Sequence, residues 1–218
     1  MTNKTLFIST LILFTFVFFA CKKDKTNPEI IIKGANPMYL NLGDTYIEPG
    51  AEATDDKDED ISSKIKISHS VNPKLVDEYI VEYMVSDKAG NTSHASRKVN
   101  VKALNLKGTY FAKSTAKEYE IKVVETSTFN RIVFRNFANY GNQNLFYSKI
   151  NGNSFIIDNH TFNIGTNAHR FSNAKGYYSA QNSEYKIDSV VYTETITPIG
   201  STTGETTVHR EKWTKIGN

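Results

Sequence analysis

Carboxylate side chains are concentrated in one short run of the sequence, residues 55–60. Four aspartates in this run are spaced so that their oxygens could converge on a hard cation such as Ca²⁺, which takes about six to eight oxygen ligands. The run lacks the glycine and the distal glutamate of an EF-hand loop, and a lysine lies inside it. Two interpretations stay open, a solvated acidic turn or a calcium site with the ligands Asp55, Asp56, Asp58 and Asp60.

Residue types used in catalysis are present, but they do not form a catalytic pattern. The five histidines are scattered, and none has the HxH or HExxH spacing of a metal centre. No Gly-x-Ser-x-Gly segment is present for a nucleophilic serine. Carboxylates are numerous, but nothing in their spacing marks a pair for glycoside hydrolysis. The sequence therefore predicts no enzyme activity and no cofactor.

Aromatic side chains beside amides could form flat platforms for sugar rings. Tyr177 and Tyr178 are adjacent, so a β-strand would point them to opposite faces and place at least one of them outside. The alternative is that these rings pack a core. The predicted ligand-binding residues are Tyr140, Tyr147, Tyr177, Tyr178 and Trp213.

The charge balance and the cysteine count exclude several classes of protein. The 218 residues include 26 Lys and Arg against 23 Asp and Glu, a balance too even for a dedicated nucleic-acid-binding protein. A single cysteine excludes an internal disulfide framework and any multi-cysteine zinc or iron–sulfur site.

That cysteine, Cys21, follows a segment with the features of an export signal. Lys4 precedes an apolar run at residues 6–20, which is shorter than the about 20 residues that a membrane-spanning helix needs. Residues 18–21 (FFAC) resemble a bacterial lipobox, with Phe where Leu is usual. The resemblance implies that residues 1–20 are a lipoprotein signal peptide, that Cys21 is lipidated and contacts a membrane, and that residues 21–27 are a tether.

After the tether, short alternating runs rich in β-branched and aromatic residues are separated by Gly, Asn, Asp and Pro, which is typical of an all-β sandwich or barrel. In the run 79–85, every second residue is Tyr or Val, so one face could be buried against a second sheet. Asp87 and Gly90 lie between two such runs and predict a tight hairpin. The predicted strands of this half are 29–33, 38–42, 61–70, 79–86 and 92–102.

Two motifs carry a family resemblance in this half. A Gly-x-x-Tyr-x-x-Pro-Gly-Ala-x-Ala-x-Asp stretch begins at Gly43, and a Val-x-Asp-x-Ala-Gly-Asn hairpin ends at Asn91. With these motifs, residues 28–102 resemble a bacterial immunoglobulin-like (Ig-like) domain, although Glu59 stands where the family usually has glycine. The resemblance implies an Ig-like β-sandwich and says little about activity.

Residues 103–107 are predicted to be a linker, and residues 108–218 hold 17 of the 26 aromatic residues. Runs about ten residues apart predict an aromatic-rich antiparallel meander that forms a partly closed barrel or a sandwich. This half resembles the lipocalin-like terminal domains of Bacteroidota envelope lipoproteins. The predicted strands are 109–112, 119–125, 131–136, 145–150, 154–157, 161–164, 176–180, 185–197 and 207–215.

These patterns predict a lipid-anchored, non-catalytic protein of the outer membrane, on the cell surface or on the periplasmic face. The leading function is glycan or ligand binding as an accessory component of nutrient uptake, which rests on the resemblance. One alternative is a structural or adhesive protein that contacts other envelope proteins through an apolar patch or a free sheet edge. An envelope hydrolase is the third interpretation, and nucleic acid is not an expected partner.

Overall fold

A computed structural model describes residues 23–182 and 184–218. The predicted signal peptide and Cys21 lie outside these described residues. Within them, the chain forms sixteen strands and three short 3-10 turns, which confirms the all-β class predicted from the sequence. No helix in this part of the chain is long and apolar enough to cross a membrane.

The first seven strands form two sheets. One sheet has the order β1-β3-β4, and the other has the order β2-β7-β6-β5, in which β2 is parallel to β7. Buried Val81, Tyr83 and Val99 pack against Ile30 and Ile32 of β1, as expected for an Ig-like sandwich. The strands are β1 (Glu29–Ile32), β2 (Met38–Asn41), β3 (Ala51–Asp55), β4 (Glu59–Asp60), β5 (Lys66–His69), β6 (Glu78–Ser86) and β7 (Thr92–Lys102).

The motif that begins at Gly43 contributes to a buried ion pair. Arg97 of β7 is 0% exposed, and its Nη2 lies 3.4 Å from Oε1 of Glu48. Its Nε donates to the hydroxyl of Tyr83 at 3.0 Å. Burial acts to raise the pKa of Glu48, but hydrogen bonds from Tyr46 and Tyr83 outweigh burial and hold this pKa below its ordinary value. These contacts fix the loop after β2 against the second sheet.

The remaining strands form a closed barrel, where the sequence left a partly closed barrel or a sandwich open. Eight strands close the ring in the order β8-β9-β10-β11-β12-β14-β15-β16, and β13 extends the sheet beside β14. The strands are β8 (Gly108–Lys113), β9 (Glu118–Glu125), β10 (Arg131–Arg135), β11 (Phe146–Asn151), β12 (Ser154–Ile157), β13 (His160–Ile164), β14 (Asn167–Gln181), β15 (Glu184–Pro198) and β16 (Glu205–Gly217).

Aromatic side chains fill the inside of the barrel. Phe137, in the 3-10 turn Phe137–Asn139, is fully buried, with its ring centroid 4.7 Å from that of Phe146 and 4.9 Å from that of Tyr192. Phe134 and Phe171 surround it at 6.0 and 6.1 Å. An eight-stranded barrel has an interior just wide enough for side chains, so this interior is a packed core.

The two halves share an apolar core. The segment predicted to be a linker forms a 3-10 turn, Ala103–Leu106, and Leu106 is fully buried. Leu42 and Val76 of the first half belong to the same buried cluster as the barrel residues. The backbone N–H of Val76 donates to the hydroxyl of Tyr178 at 3.0 Å. The halves are therefore in direct contact.

Candidate functional site

Two of the five predicted ligand-binding aromatics are core residues. Trp213 of β16 is 4% exposed, and its Nε1–H donates to Glu211 at 3.0 Å. Tyr178 of β14 is 3% exposed and donates to the carbonyl of Gly152. Burial raises the pKa of Tyr178 to about 12. Both assignments are corrected, because the register of the strands turns these side chains inward and away from any surface ligand.

A third predicted residue, Tyr140, is partly buried at one end of the barrel. Its hydroxyl donates to Oε1 of Glu194 at 2.5 Å, and its ring centroid lies 5.4 Å from that of Phe162. The Nζ atom of Lys117 lies 4.8 Å from the ring centroid on one face. These contacts use the hydroxyl and the ring of Tyr140 within the protein, so they favour a structural role over a ligand platform.

The sequence analysis missed the polar cluster around Glu194, a residue of β15 that is 2% exposed. Its carboxylate lies 2.9 Å from Nδ1 of His169, 3.2 Å from Nε2 of His209 and 3.9 Å from Nζ of Lys117. Burial acts to raise the pKa of Glu194, but hydrogen bonds from Tyr140 and His169 outweigh burial and lower it. A lowered pKa makes this carboxylate a weaker base, so the cluster suits structural hydrogen bonding better than general-base catalysis.

A second buried carboxylate, Glu211, lies inside the barrel and is 2% exposed. It accepts hydrogen bonds from the hydroxyls of Tyr119 at 2.8 Å and Tyr192 at 3.0 Å, and from the indole of Trp213 at 3.0 Å. Burial raises the pKa of both tyrosines, so their hydroxyls remain protonated donors. Three donors therefore satisfy this carboxylate within the core.

Tyr147 and Tyr177 lie on the outside of the barrel, where they are 45% and 46% exposed. Tyr147 is on β11 and Tyr177 on β14, and β12 lies between these strands. Ile156 of β12 is 66% exposed and pairs with Lys149 on one side and Lys175 on the other. We call Tyr147, Ile156 and Tyr177 the outer aromatic face.

The strand register gives the spacing within the outer aromatic face. Tyr177 is opposite Ser154, and the carbonyl of Tyr147 accepts the amide of Asp158 at 2.8 Å. The two tyrosines are thus two strands and four residues apart, which corresponds to roughly 16 Å, with Ile156 between them. A surface of this length could contact several sugar rings in a row.

Charged side chains border the outer aromatic face. Lys149 and Lys175 flank its centre. The guanidinium of Arg131 lies 6.0 Å from the ring centroid of Tyr147 and forms an ion pair with Asp158. The face therefore combines apolar ring surface with hydrogen-bond donors, which are the two features that a ligand with apolar faces and polar edges needs.

The four aspartates of the predicted calcium site do not converge. Asp58 accepts the amide of Lys88 at 2.6 Å, and its Oδ1 lies 2.9 Å from Nζ of the same lysine. Asp60 accepts the amide two residues further along at 2.9 Å, and Asp56 pairs with its neighbouring lysine at 3.5 Å. The site expected on Asp55, Asp56, Asp58 and Asp60 is therefore corrected, because the turn points these carboxylates to different partners.

Asp55 instead lies close to two carboxylates that the sequence analysis did not include. One carboxylate oxygen each of Asp24, Asp55 and Asp87 lies within 4.8 Å of the other two. Asp24 precedes β1, Asp55 ends β3, and Asp87 begins the hairpin between β6 and β7. The fold therefore brings together three segments that are distant in the sequence.

Comparisons with known proteins support the assignment of an Ig-like domain to the N-terminal half of the chain. Residues 30–101 match the family model described as "Bacterial surface protein, Ig-like domain". No curated protein matches the chain.

Solved structures similar to this chain include a lipoprotein and two structures of a multidomain protein. A lipoprotein from Bacteroides thetaiotaomicron is 17% identical with a TM-score of 0.35, covering 87% of this chain and 100% of that one. A Clostridium perfringens ZmpB structure with CBM51-2, bound to GlcNAc, and INT domains is 18% identical with a TM-score of 0.29, covering 86% of this chain and 42% of that one. A second ZmpB structure contains the M60 catalytic domain and two CBM51 domains. It is 18% identical with a TM-score of 0.30, covering 86% of this chain and 20% of that one.

The family match covers both sheets of the sandwich from β1 to the end of β7. It includes the motif at Gly43, the buried Arg97 and the hairpin that ends at Asn91. Residues 30–101 of this chain therefore form an Ig-like domain that is similar to the Ig-like domains of bacterial surface proteins.

Proposed function

We propose that this chain is a non-catalytic protein of the bacterial cell envelope, held at the outer membrane by a lipid on Cys21, that binds a glycan through the outer aromatic face of its barrel. The match of residues 30–101 to a domain of bacterial surface proteins is the observation that carries the location. The exposed tyrosines on one side of the barrel support the ligand class.

The N-terminal end of the described chain supports the anchoring role of the Ig-like domain. The side-chain amide of Asn91 donates to the carbonyl of Asp24 at 3.3 Å, and the hydroxyl of Ser93 donates to the carbonyl of Pro28. Residues 24–28 therefore run along the β6–β7 hairpin. A lipid on Cys21 would hold this end of the sandwich close to the bilayer.

The position of the outer aromatic face supports ligand binding from the outside of the barrel. The aromatic core occupies the barrel interior, so a lipocalin-like internal ligand has little room there. Tyr147 and Tyr177 instead present about half of their surface to solvent. Exposed apolar patches with a polar border mark binding sites on soluble proteins.

The two buried carboxylates support a non-catalytic role. Among residues 23–182 and 184–218, Glu194 and Glu211 are the most buried acidic residues, and protein donors surround each of them. Hydrogen bonds within the protein therefore occupy both carboxylates.

A free sheet edge favours the alternative, a protein–protein interaction role. In the described chain β13 pairs with β14 on one side, and residues 160–164 leave their other edge open. An open edge can accept a strand from another protein.

A glycan-array screen of the full chain in detergent, followed by titration calorimetry on any hit, tests the proposal. We expect binding that weakens at least tenfold in the double variant Tyr147→Ala/Tyr177→Ala, because each ring supplies stacking surface. Tyr39→Ala is the matched control, since Tyr39 is 53% exposed but lies on the Ig-like domain. An array on which no glycan binds, or binding that is unchanged in the double variant, would contradict glycan binding at this face.

A further inference from the structure

Asp24, Asp55 and Asp87 form a compact group of carboxylates at the end of the Ig-like domain that receives the N-terminal segment. One oxygen of each lies within 4.8 Å of the other two. Asp87 is 8% exposed. Negative charges this close repel one another, and the repulsion is stronger where burial keeps water away.

Hydrogen bonds hold these carboxylates in place but do not neutralise them. Asp87 accepts the amides of Gly90 and Asn91 at 2.6 and 2.8 Å, and Asp24 accepts the amide two residues further along at 3.0 Å. None of the ion pairs found within residues 23–182 and 184–218 includes any of the three aspartates.

Asp55 supplies a separate indication that a ligand is needed. Its Oδ2 accepts the amides of Lys57 and Asp58 at 2.9 and 3.1 Å. Its Oδ1 is buried and, among the described residues, has no hydrogen-bond partner. A buried carboxylate oxygen without a donor is costly, and a bound cation would remove that cost.

The geometry and donor type fit calcium. Ca²⁺ binds carboxylate oxygens at about 2.3–2.6 Å, so two ligands on opposite sides of the ion lie about 5 Å apart. Oxygens within 4.8 Å of one another can therefore share one Ca²⁺. Mg²⁺ holds its ligands at about 2.0–2.1 Å and would need a tighter group.

We propose that Asp24, Asp55 and Asp87 bind one Ca²⁺ and that this ion fastens the N-terminal segment to the Ig-like domain. Asp24 belongs to that segment, whereas Asp55 and Asp87 belong to two loops of the sandwich, so the ion would join all three. Waters would complete the coordination.

The consequence for orientation rests on the proposed lipidation of Cys21. Asp24 lies three positions after Cys21, a chain length of at most about 10 Å. With Asp24 fixed, the sandwich would have little freedom to swing away from the bilayer. Without Ca²⁺, the whole segment from Cys21 to β1 could act as a longer tether.

Titration calorimetry and thermal melts of the full chain in non-ionic detergent, with CaCl₂ or EDTA, test the site. We expect Ca²⁺ to raise the melting temperature by several degrees, because a ligand that binds only the folded state stabilises it. Asp24→Asn should weaken Ca²⁺ binding at least tenfold while leaving the melting temperature in EDTA unchanged, since an amide oxygen can still accept the hydrogen bond within the segment.

Asp56→Asn is the matched control, because Asp56 is in the same acidic run but outside the group, and it should bind Ca²⁺ as the unmodified chain does. No binding heat and no melting shift with the unmodified chain would overturn the site. Undiminished binding by Asp24→Asn, or an equal shift with MgCl₂, would also contradict it. These measurements do not involve the glycan, so they separate this site from the proposed glycan-binding function.

Discussion

The Ig-like half and the barrel half accommodate buried charge in different ways. The sandwich buries one cation, Arg97, against Glu48 and the backbone carbonyls of the loop after β1. The barrel buries two carboxyl groups, those of Glu194 and Glu211, and surrounds them with side chains from other parts of the barrel. In the sandwich, the buried charge fastens a loop to a sheet. In the barrel, Glu194 links β15 to β14, and Glu211 links β16 to β15 and β9.

The difference follows from the composition of the two cores. The barrel half holds 17 of the 26 aromatic residues, and tyrosine or tryptophan can donate a hydrogen bond from inside an apolar core. The sandwich core consists mainly of Val, Ile and Ala, and Tyr83 and Tyr46 are the tyrosines that contact its ion pair. Backbone carbonyls bind the rest of the Arg97 guanidinium. We therefore expect the barrel to depend most on ring packing and the sandwich most on its ion pair.

Loss of the central ring should have the largest effect. Phe137→Ala should lower the free energy of unfolding by about 3–5 kcal/mol, because it leaves a cavity between Phe146 and Tyr192. Urea denaturation followed by Trp213 fluorescence measures this. Tyr39→Ala, at an exposed ring, should change the unfolding free energy by less than about 0.5 kcal/mol. A cost below about 1 kcal/mol for Phe137→Ala would show that the barrel does not depend on this ring.

Loss of the buried Arg97 side chain should destabilise the sandwich nearly as much as loss of Phe137 destabilises the barrel. Arg97→Met should lower the free energy of unfolding by about 3 kcal/mol, because the mostly buried carboxylate of Glu48 would lose its charged partner. Chemical denaturation measures the change. Arg210→Met, at an exposed position of β16, is the matched control and should be close to neutral. Equal stability of the two variants would show that the sandwich does not depend on its buried ion pair.

The contact between the halves can be tested at one glycine. Gly43 has φ +93°, and a Cβ there would lie 2.6 Å from Cε2 of Tyr185 in the barrel. Gly43→Ala should cost about 2–4 kcal/mol, from the backbone and the clash together. Gly200→Ala shares the positive φ (+91°) but has no atom within 4 Å, so it should cost about 1 kcal/mol. Thermal melts that rank the two variants equally would argue against a tight junction.

Replacement of Glu194 in the barrel should have a smaller effect on stability, and this effect should depend on pH. The pKa of folded Glu194 lies below its ordinary value of 4.5, so its contribution to stability is present above pH 4.5 and is lost as the pH falls through the folded pKa. Glu194→Gln should flatten the fall in unfolding free energy below pH 4.5 by at most about 1.4 kcal/mol per pH unit. Exposed Glu120→Gln is the control. Parallel pH profiles for unmodified chain and Glu194→Gln would contradict this role.

Local turn chemistry and strand alternation made part of the structure predictable. The hairpin expected at Asp87 and Gly90 is confirmed, with Gly90 at φ +96° and the amide of Asp87 donating to the carbonyl of Asn91 at 3.1 Å. The opposite orientation of Tyr177 and Tyr178 is also confirmed, at 46% and 3% exposure. Both features depend on residues that are neighbours in the sequence.

Other features depend on contacts that the sequence does not reveal. Strand β14 begins at Asn167, well before the predicted start at residue 176, because polar residues such as Asn173 interrupt the apolar pattern. Trp213 is buried because β8 and β15 flank β16 in a closed ring, and that closure has no local signal. The alternation of Tyr192 and Glu194 on one face of β15 was the available signal for a buried carboxylate.

Lipid attachment at Cys21 is tested most directly by intact-mass spectrometry of the chain extracted from bacterial membranes. We predict a polypeptide that begins at Cys21 and carries the added mass of a diacylglycerol and a further acyl chain. An unmodified cysteine, or a chain that retains residues 1–20, would contradict a lipid-anchored envelope protein.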